Sequence, residues 1–190
     1  KIKKISKKTI TEELNINFNK FNILITFHPE TKFLKETIKN LNEMLKALEE
    51  LGPSYNFYIT GSNVDTFGQL FNKKIKNLAL KKKNFYFFSN LGTINYIQLA
   101  KNCDMVAGNS SSIIYEMPFM GVKSVLIGSR QDGRYMSKNI IQIKVNKKLI
   151  MNTIIKNIKK KNPKKDFKTY GNGFASNKIF KKIDNLINEK

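Results

Sequence analysis

The run Asp104-Met-Val-Ala-Gly-Asn-Ser-Ser-Ser-Ile-Ile-Tyr-Glu116 decides how the whole chain reads. Residues 104–107 are a short apolar run of strand type, and Gly108-Asn-Ser-Ser-Ser112 is a turn of small residues. A helix is expected from about 111 to 120, a mostly apolar stretch broken by Glu116 and ending at Gly121. A strand that passes through a tight polar turn directly into a helix is one half of a βα unit.

The same alternation continues outward in both directions. Upstream, short β-branched and aromatic runs predict strands over 22–27, 55–60 and 85–88. Helical spacing of apolar residues predicts helices over 32–51, 69–80 and 93–102, the first of them stopped by Gly52-Pro53. Downstream, strands are expected over 124–127 and 140–143, with helices over 147–160 and 177–188. Strands that alternate with helices imply crossover connections and a parallel sheet covered on both faces. The expected fold class is therefore α/β, a doubly wound parallel sheet formed by residues 21–190. Residues 1–20 read as a connector with a short helix, for which Thr9-Ile-Thr-Glu12 fits a capping box.

Composition narrows the possible functions. A chain of 190 residues with 41% hydrophobic content supports one well-cored domain. No stretch approaches the roughly 20 apolar residues of a membrane span. The basic start Lys1-Ile-Lys-Lys-Ile-Ser-Lys-Lys8 is followed by no apolar run, so it does not read as a signal peptide. It also opens without Met, the expectation for a piece of a longer protein. The net charge of +21 invites a nucleic-acid interface. However, the cations are almost all lysines spread over helix faces and loops, in company with abundant Asn, Ile, Phe and Tyr. That is the signature of an A/T-rich coding bias and a solvated surface. Cys103 is the single cysteine, which excludes a disulfide and a cysteine-based zinc site within one chain. A buried, reduced thiol and a cytoplasmic location are expected.

In an open parallel sheet, ligands sit beyond the carboxyl ends of the strands against helix N-termini. The polar residues predicted there are His28, Asn63, Ser89-Asn90, Gly108-Asn-Ser-Ser-Ser112 and Ser129-Arg130. The one histidine and the only arginines, Arg130 and Arg134, all fall on that rim. Arginine is the residue suited to planar, bidentate phosphate recognition. A small-residue turn opening a helix offers free N–H groups, the positive end of the helix dipole and serine hydroxyls to a phosphate. The same turn is equally compatible with simple N-capping by Asn109 or Ser110. Glu116, one turn along from Ser112 on the same helix face, is placed to accept hydrogen bonds from ribose hydroxyls. His28 could contact a pyrophosphate or assist a nucleotide leaving group. No metal-ligand cluster, no Ser/His/Asp set and no pair of carboxylates for acid–base work is visible, so the rim reads as a nucleotide grip rather than a complete active site.

Taken together, Thr26-Phe-His-Pro-Glu-Thr31, Ser62-Asn-Val-Asp65, Gly108-Asn-Ser-Ser-Ser112 with Glu116-Met-Pro and Gly121, Ile127-Gly-Ser-Arg-Gln-Asp-Gly-Arg134, and Tyr170-Gly-Asn-Gly173 with Ala175 resemble the C-terminal half of the UDP-N-acetylglucosamine 2-epimerases. Pro29-Glu30 and Ser110-Ser-Ser resemble the hydrolysing branch in particular. The resemblance implies a GT-B type fold of two Rossmann-like domains, with UDP held by the C-terminal one. It places His28, Asn63, Ser110, Ser111, Glu116 and Arg130 at UDP-contacting positions and Leu91 beside the uracil. His28 is the one candidate for a catalytic role. It further implies a reaction without metal or cofactor, in which UDP is eliminated to leave a 2-acetamidoglucal that is then hydrated. The carboxylates for that proton chemistry would belong to an N-terminal domain, and the whole protein would be a homo-oligomer. UDP-N,N'-diacetylbacillosamine as substrate, a GT-B glycosyltransferase and, more distantly, a nucleic-acid binder are the alternatives. The roles of Arg134 and of the Gly171-Asn172-Gly173 loop stay open.

Overall fold

The computed structural model describes residues 5–30, 34–62 and 66–188. Six strands are present in chain order: β1 (Phe21–Thr26), β2 (Tyr55–Thr60), β3 (Phe85–Phe88), β4 (Met105–Gly108), β5 (Ser124–Ile127) and β6 (Ile140–Ile143). They form one sheet in the order β3-β2-β1-β4-β5-β6, with every neighbouring pair parallel. Seven helices accompany them among the described residues: α1 (Lys7–Leu14), α2 (Leu34–Leu51), α3 (Thr66–Lys81), α4 (Gly92–Asn102), α5 (Ser112–Met120), α6 (Lys147–Ile158) and α7 (Ala175–Asn188). The doubly wound α/β expectation holds, with strand limits shifted by one residue at most.

Alternation along the strands separates two apolar layers. Ile23, Ile25, Phe57, Ile59, Met105 and Val125 face α2, α3 and α6, where Leu41, Met44, Leu48, Phe71, Ile75, Ile150 and Ile154 are buried. Leu24, Tyr58, Val106 and Leu126 face the other way and pack with Ile10, Leu99, Ile113 and Met117 of α1, α4 and α5. The strands are thus largely apolar on both sides, the exposed Gln142 of the edge strand β6 being an exception, which is why the short runs show little polar alternation.

The start of the chain differs from the expectation in one detail. Ser6, not Thr9, caps α1: its hydroxyl accepts from the Thr9 N–H, and α1 begins at Lys7. Its Ile10 is buried in the second layer, so this segment packs against the domain through α4. Beyond α6, residues 163–170 run back across the end of α5. The Asp166 N–H donates to the Pro118 carbonyl at 2.8 Å, while its carboxylate accepts from the Ser137 and Thr169 hydroxyls. Those hydrogen bonds, Ser137's foremost, hold the Asp166 carboxyl well below the usual carboxylate range.

Chain order runs outward from β1 to β3, then returns to β4 on the opposite side of β1. The two strands on either side of that reversal therefore send their following loops in different directions, which opens a crevice at their carboxyl ends. Gly108 makes the close pairing possible there. Its φ is +141°, and a Cβ at this position would lie 2.0 Å from the Thr26 carbonyl oxygen. Gly108→Ala is expected to lower unfolding stability by about 3 kcal/mol or more, read from urea melts, because no rotamer relieves a backbone clash.

Candidate functional site

The crevice between β1 and β4 is built from two loops tied together by one side chain. Asn109 is fully buried. Its Oδ1 accepts from the His28 N–H at 2.7 Å, its Nδ2 donates to the His28 carbonyl at 2.8 Å, and its own N–H donates to the Thr26 carbonyl at 3.1 Å. The amide thereby continues the parallel ladder beyond the last strand residue, and holds His28 beside the serine turn. The β5 loop joins the same point: Arg130 Nη1 (3.3 Å) and Gln131 Nε2 (2.8 Å) both donate to the Asn109 carbonyl. Three strand-end loops meet on one residue.

The structure settles the capping ambiguity of the turn. Asn109 serves His28 rather than the helix, Ser110 Oγ accepts from the Ser112 N–H at 3.3 Å at the start of α5, and Ser111, at the N-cap position, makes no side-chain capping hydrogen bond. Among the described residues, no hydrogen bond uses the N–H groups of Ser110 and Ser111. The start of α5 therefore keeps donors and its positive dipole end for an acceptor. Ser110 is buried, and Ser111 is half-buried.

The remaining sequence candidates are placed as follows. Glu116 lies exposed on the outer face of α5, while its neighbours Ile113, Ile114 and Met117 point into the core. Its apolar flanks therefore do not bury it. Leu91 is the half-buried N-cap residue of α4 and packs against the second apolar layer. Asn63 lies outside the described residues. The two arginines part company: Arg130 turns to the crevice, whereas Arg134 Nη1 donates to the Tyr115 hydroxyl at 3.3 Å and its guanidinium sits 5.9 Å from that ring's centre. Tyr115 in turn packs edge-on against Tyr170, next to the Gly171-Asn172-Gly173 loop.

The electrostatics favour the crevice over its neighbour. A pocket of about 580 Å³ opens beside it, between the β5 and β6 ends and α2, lined by Glu36, Gly128, Ser129 and Asp132 among others. Burial raises the Glu30 carboxyl, the Arg130 guanidinium opposes that shift, and Glu36 and Asp132 add to it. A region where carboxylates repel one another is a poor host for a diphosphate. The serine turn, by contrast, presents donors with Arg130 alongside.

Sequence reasoning passed over three groups. Gln131 reads as an ordinary loop residue but is 1% exposed and anchors the β5 loop. Thr26 and Thr60 are direct register partners at the ends of β1 and β2, and their hydroxyls lie 2.8 Å apart. Tyr96 of α4 reaches under the turn to Ser112 Oγ at 2.6 Å. Only the threonine pair carried a signal, as matching polar residues ending two adjacent strands.

The fold is that of a Rossmann-like domain of the GT-B type. The family model for UDP-N-acetylglucosamine 2-epimerase matches residues 1–184, and the chain belongs to that family. It is 36% identical over 143 residues to the GDP/UDP-N,N'-diacetylbacillosamine 2-epimerase (hydrolyzing) of Campylobacter jejuni, covering 75% of this chain and 37% of that protein. It is 30% identical over 131 residues to the polysialic acid biosynthesis protein P7 of Escherichia coli, covering 69% of this chain and 33% of the relative. The chain thus spans well under half the length of these relatives. Among solved structures, MnaA of S. aureus in a co-structure with UDP aligns at a TM-score of 0.68 and 17% identity, over 96% of this chain and 50% of the other. That likeness is one of fold.

Asn109→Asp keeps the size of the side chain but sets a carboxylate oxygen against the His28 carbonyl. It is expected to lower unfolding stability by about 2–4 kcal/mol in urea melts. The exposed Arg130→Ala change should cost less than about 0.5 kcal/mol.

Proposed function

We propose that this chain holds UDP for a hydrolysing UDP-N-acetylglucosamine 2-epimerase, with the diphosphate seated in the β1–β4 crevice. The observation that carries this reading is the convergence of His28, the Ser110-Ser111 donors and Arg130 on Asn109, at the point where the strand order reverses. In this arrangement the Ser110 and Ser111 groups and Arg130 bind the phosphates, Glu116 receives the ribose hydroxyls, and Leu91 lies along the uracil. Asn63, which follows β2 in the sequence, is the remaining member of the proposed set.

The proposed reaction breaks the C1–O bond of UDP-N-acetylglucosamine as the C2 proton leaves, giving UDP and a 2-acetamidoglucal. Water then returns a hydroxyl to C1 and a proton to the opposite face of C2, releasing N-acetylmannosamine. This half stabilises the departing UDP, and His28 supplies hydrogen bonding or a proton to it. The carboxylates that move the C2 proton belong to the remaining, N-terminal half of the full-length protein. That half also accounts for α7, where Ile179, Phe180, Ile183 and Leu186 are between 52% and 69% exposed along one helical stripe. Use of a sugar nucleotide and a buried, unpaired Cys103 fit a cytoplasmic enzyme. The 36% identity to the Campylobacter relative favours a second reading of the sugar, in which the substrate is UDP-N,N'-diacetylbacillosamine.

Two measurements test this. Calorimetric titration should show UDP binding to this chain, weakened about ten-fold or more by Arg130→Ala, as expected for loss of a charge-assisted contact; absence of heat at millimolar UDP overturns the reading. The chain alone should release no free sugar from UDP-N-acetylglucosamine, whereas the full-length protein should release it together with UDP. Transfer of the sugar to an acceptor instead would identify a glycosyltransferase.

A further inference from the structure

A line of hydroxyl groups runs beneath the serine turn, and counting its protons gives it a direction. Ser112 donates to Ser110 Oγ twice, from its N–H at 3.3 Å and from its hydroxyl at 3.1 Å. A serine hydroxyl has one proton, so Ser112 Oγ can only accept in its 2.6 Å contact with Tyr96, and the tyrosine is the donor there. Thr26 donates its own single proton to the Tyr96 oxygen at 3.3 Å. Thr60 Oγ1 lies 2.8 Å from Thr26 Oγ1 and 3.4 Å from the Ile25 carbonyl, which can only accept, so its single proton is shared between the two and Thr60 stands outside the line. The line reads Thr26 to Tyr96 to Ser112 to Ser110, with every step pointing toward the turn.

Its end is the informative place. Ser110 Oγ has both acceptor positions filled by Ser112, and among the described residues nothing takes its own proton. We infer that Tyr96 is a positioning residue that makes Ser110 a dedicated hydrogen-bond donor, aimed at a phosphate oxygen of the bound nucleotide. This rests on the reading that the crevice holds UDP. Burial raises the Tyr96 phenol above its ordinary value, so the ring stays protonated and keeps its donor role at neutral pH. Hydrogen bonds aligned in series also polarise one another, so each donor upstream strengthens the last one. The arrangement selects against a group that can only donate at this spot: an ammonium or guanidinium would meet no free lone pair on Ser110.

Tyr96→Phe removes one oxygen and keeps the ring, and it frees Ser112 to turn its proton elsewhere. Calorimetric titration of the chain should then show UDP affinity reduced about five-fold, the loss of roughly one net hydrogen bond. Uridine, measured by competition, should bind unchanged because it lacks a phosphate. In a Ser110→Ala background the effect of Tyr96→Phe should fall below about two-fold, since the end of the line is already gone. Thr26→Val, which leaves Tyr96 in place and deletes its donor, should show the same pattern at smaller size and carries the test if Tyr96→Phe does not fold. Unchanged UDP affinity in Tyr96→Phe overturns the assignment. So does an equal loss of uridine binding, or a loss of undiminished size with Ser110→Ala. Absence of UDP binding by the unaltered chain overturns both the line's role and the UDP reading beneath it.

Discussion

The approach of Gly108 to the Thr26 carbonyl is the constraint on which the site depends. Two parallel strands can run side by side to their very ends only if no side chain stands between them, and here even a Cβ would lie 2.0 Å from a carbonyl oxygen. With that contact in place, Asn109 falls opposite His28 and pairs with it as a peptide would. Strand pairing is thereby prolonged by a side chain into a region where the main chains must already diverge. The result is a crevice whose walls are rigid although they are loops, because each is hydrogen-bonded to the same buried amide.

Charge is arranged on two scales. At long range the chain is strongly cationic, but diffuse lysines screened by salt attract any anion and place none. At short range the β5 loop spends one of the chain's two arginines on the crevice and the other on a tyrosine cluster. Carboxylates gather around Glu30, with Glu36 and Asp132 near it, and Arg130 acts on Glu30 as well. In the proposed site an anion in the β1–β4 crevice would be met by Arg130 and the amide donors of the serine turn. A bidentate guanidinium fixes orientation where an ammonium would supply only charge.

The fold also shows where it is not self-sufficient. Six of the seven helices place at least part of one face on the sheet or on one another, while α7 has no buried residue among those described. An amphipathic helix with such a stripe is stable when something apolar covers it. In the proposed division of labour, the half that would cover it also brings the proton-transfer groups.

Periodicity and punctuation carried most of the architecture in the primary structure. Strand–helix alternation, the Gly52-Pro53 stop and the small-residue turn at 108–112 are local effects, governed by backbone sterics and by burial on both faces. The identity of the rim residues was likewise legible, since strand ends follow once the strands are known. Pairwise choices made across space were not legible. Asn109 could cap its helix or bond His28, and only the closeness of β1 decided for His28. Arg130 and Arg134 are alike in sequence, but Tyr115 captures one of them. Tyr96 is one aromatic on an apolar helix until α4 lies beneath the turn and its hydroxyl meets Ser112. Such hydrogen bonds join residues 16 to 81 positions apart, and their partners are set by the register of a sheet that exists only after folding.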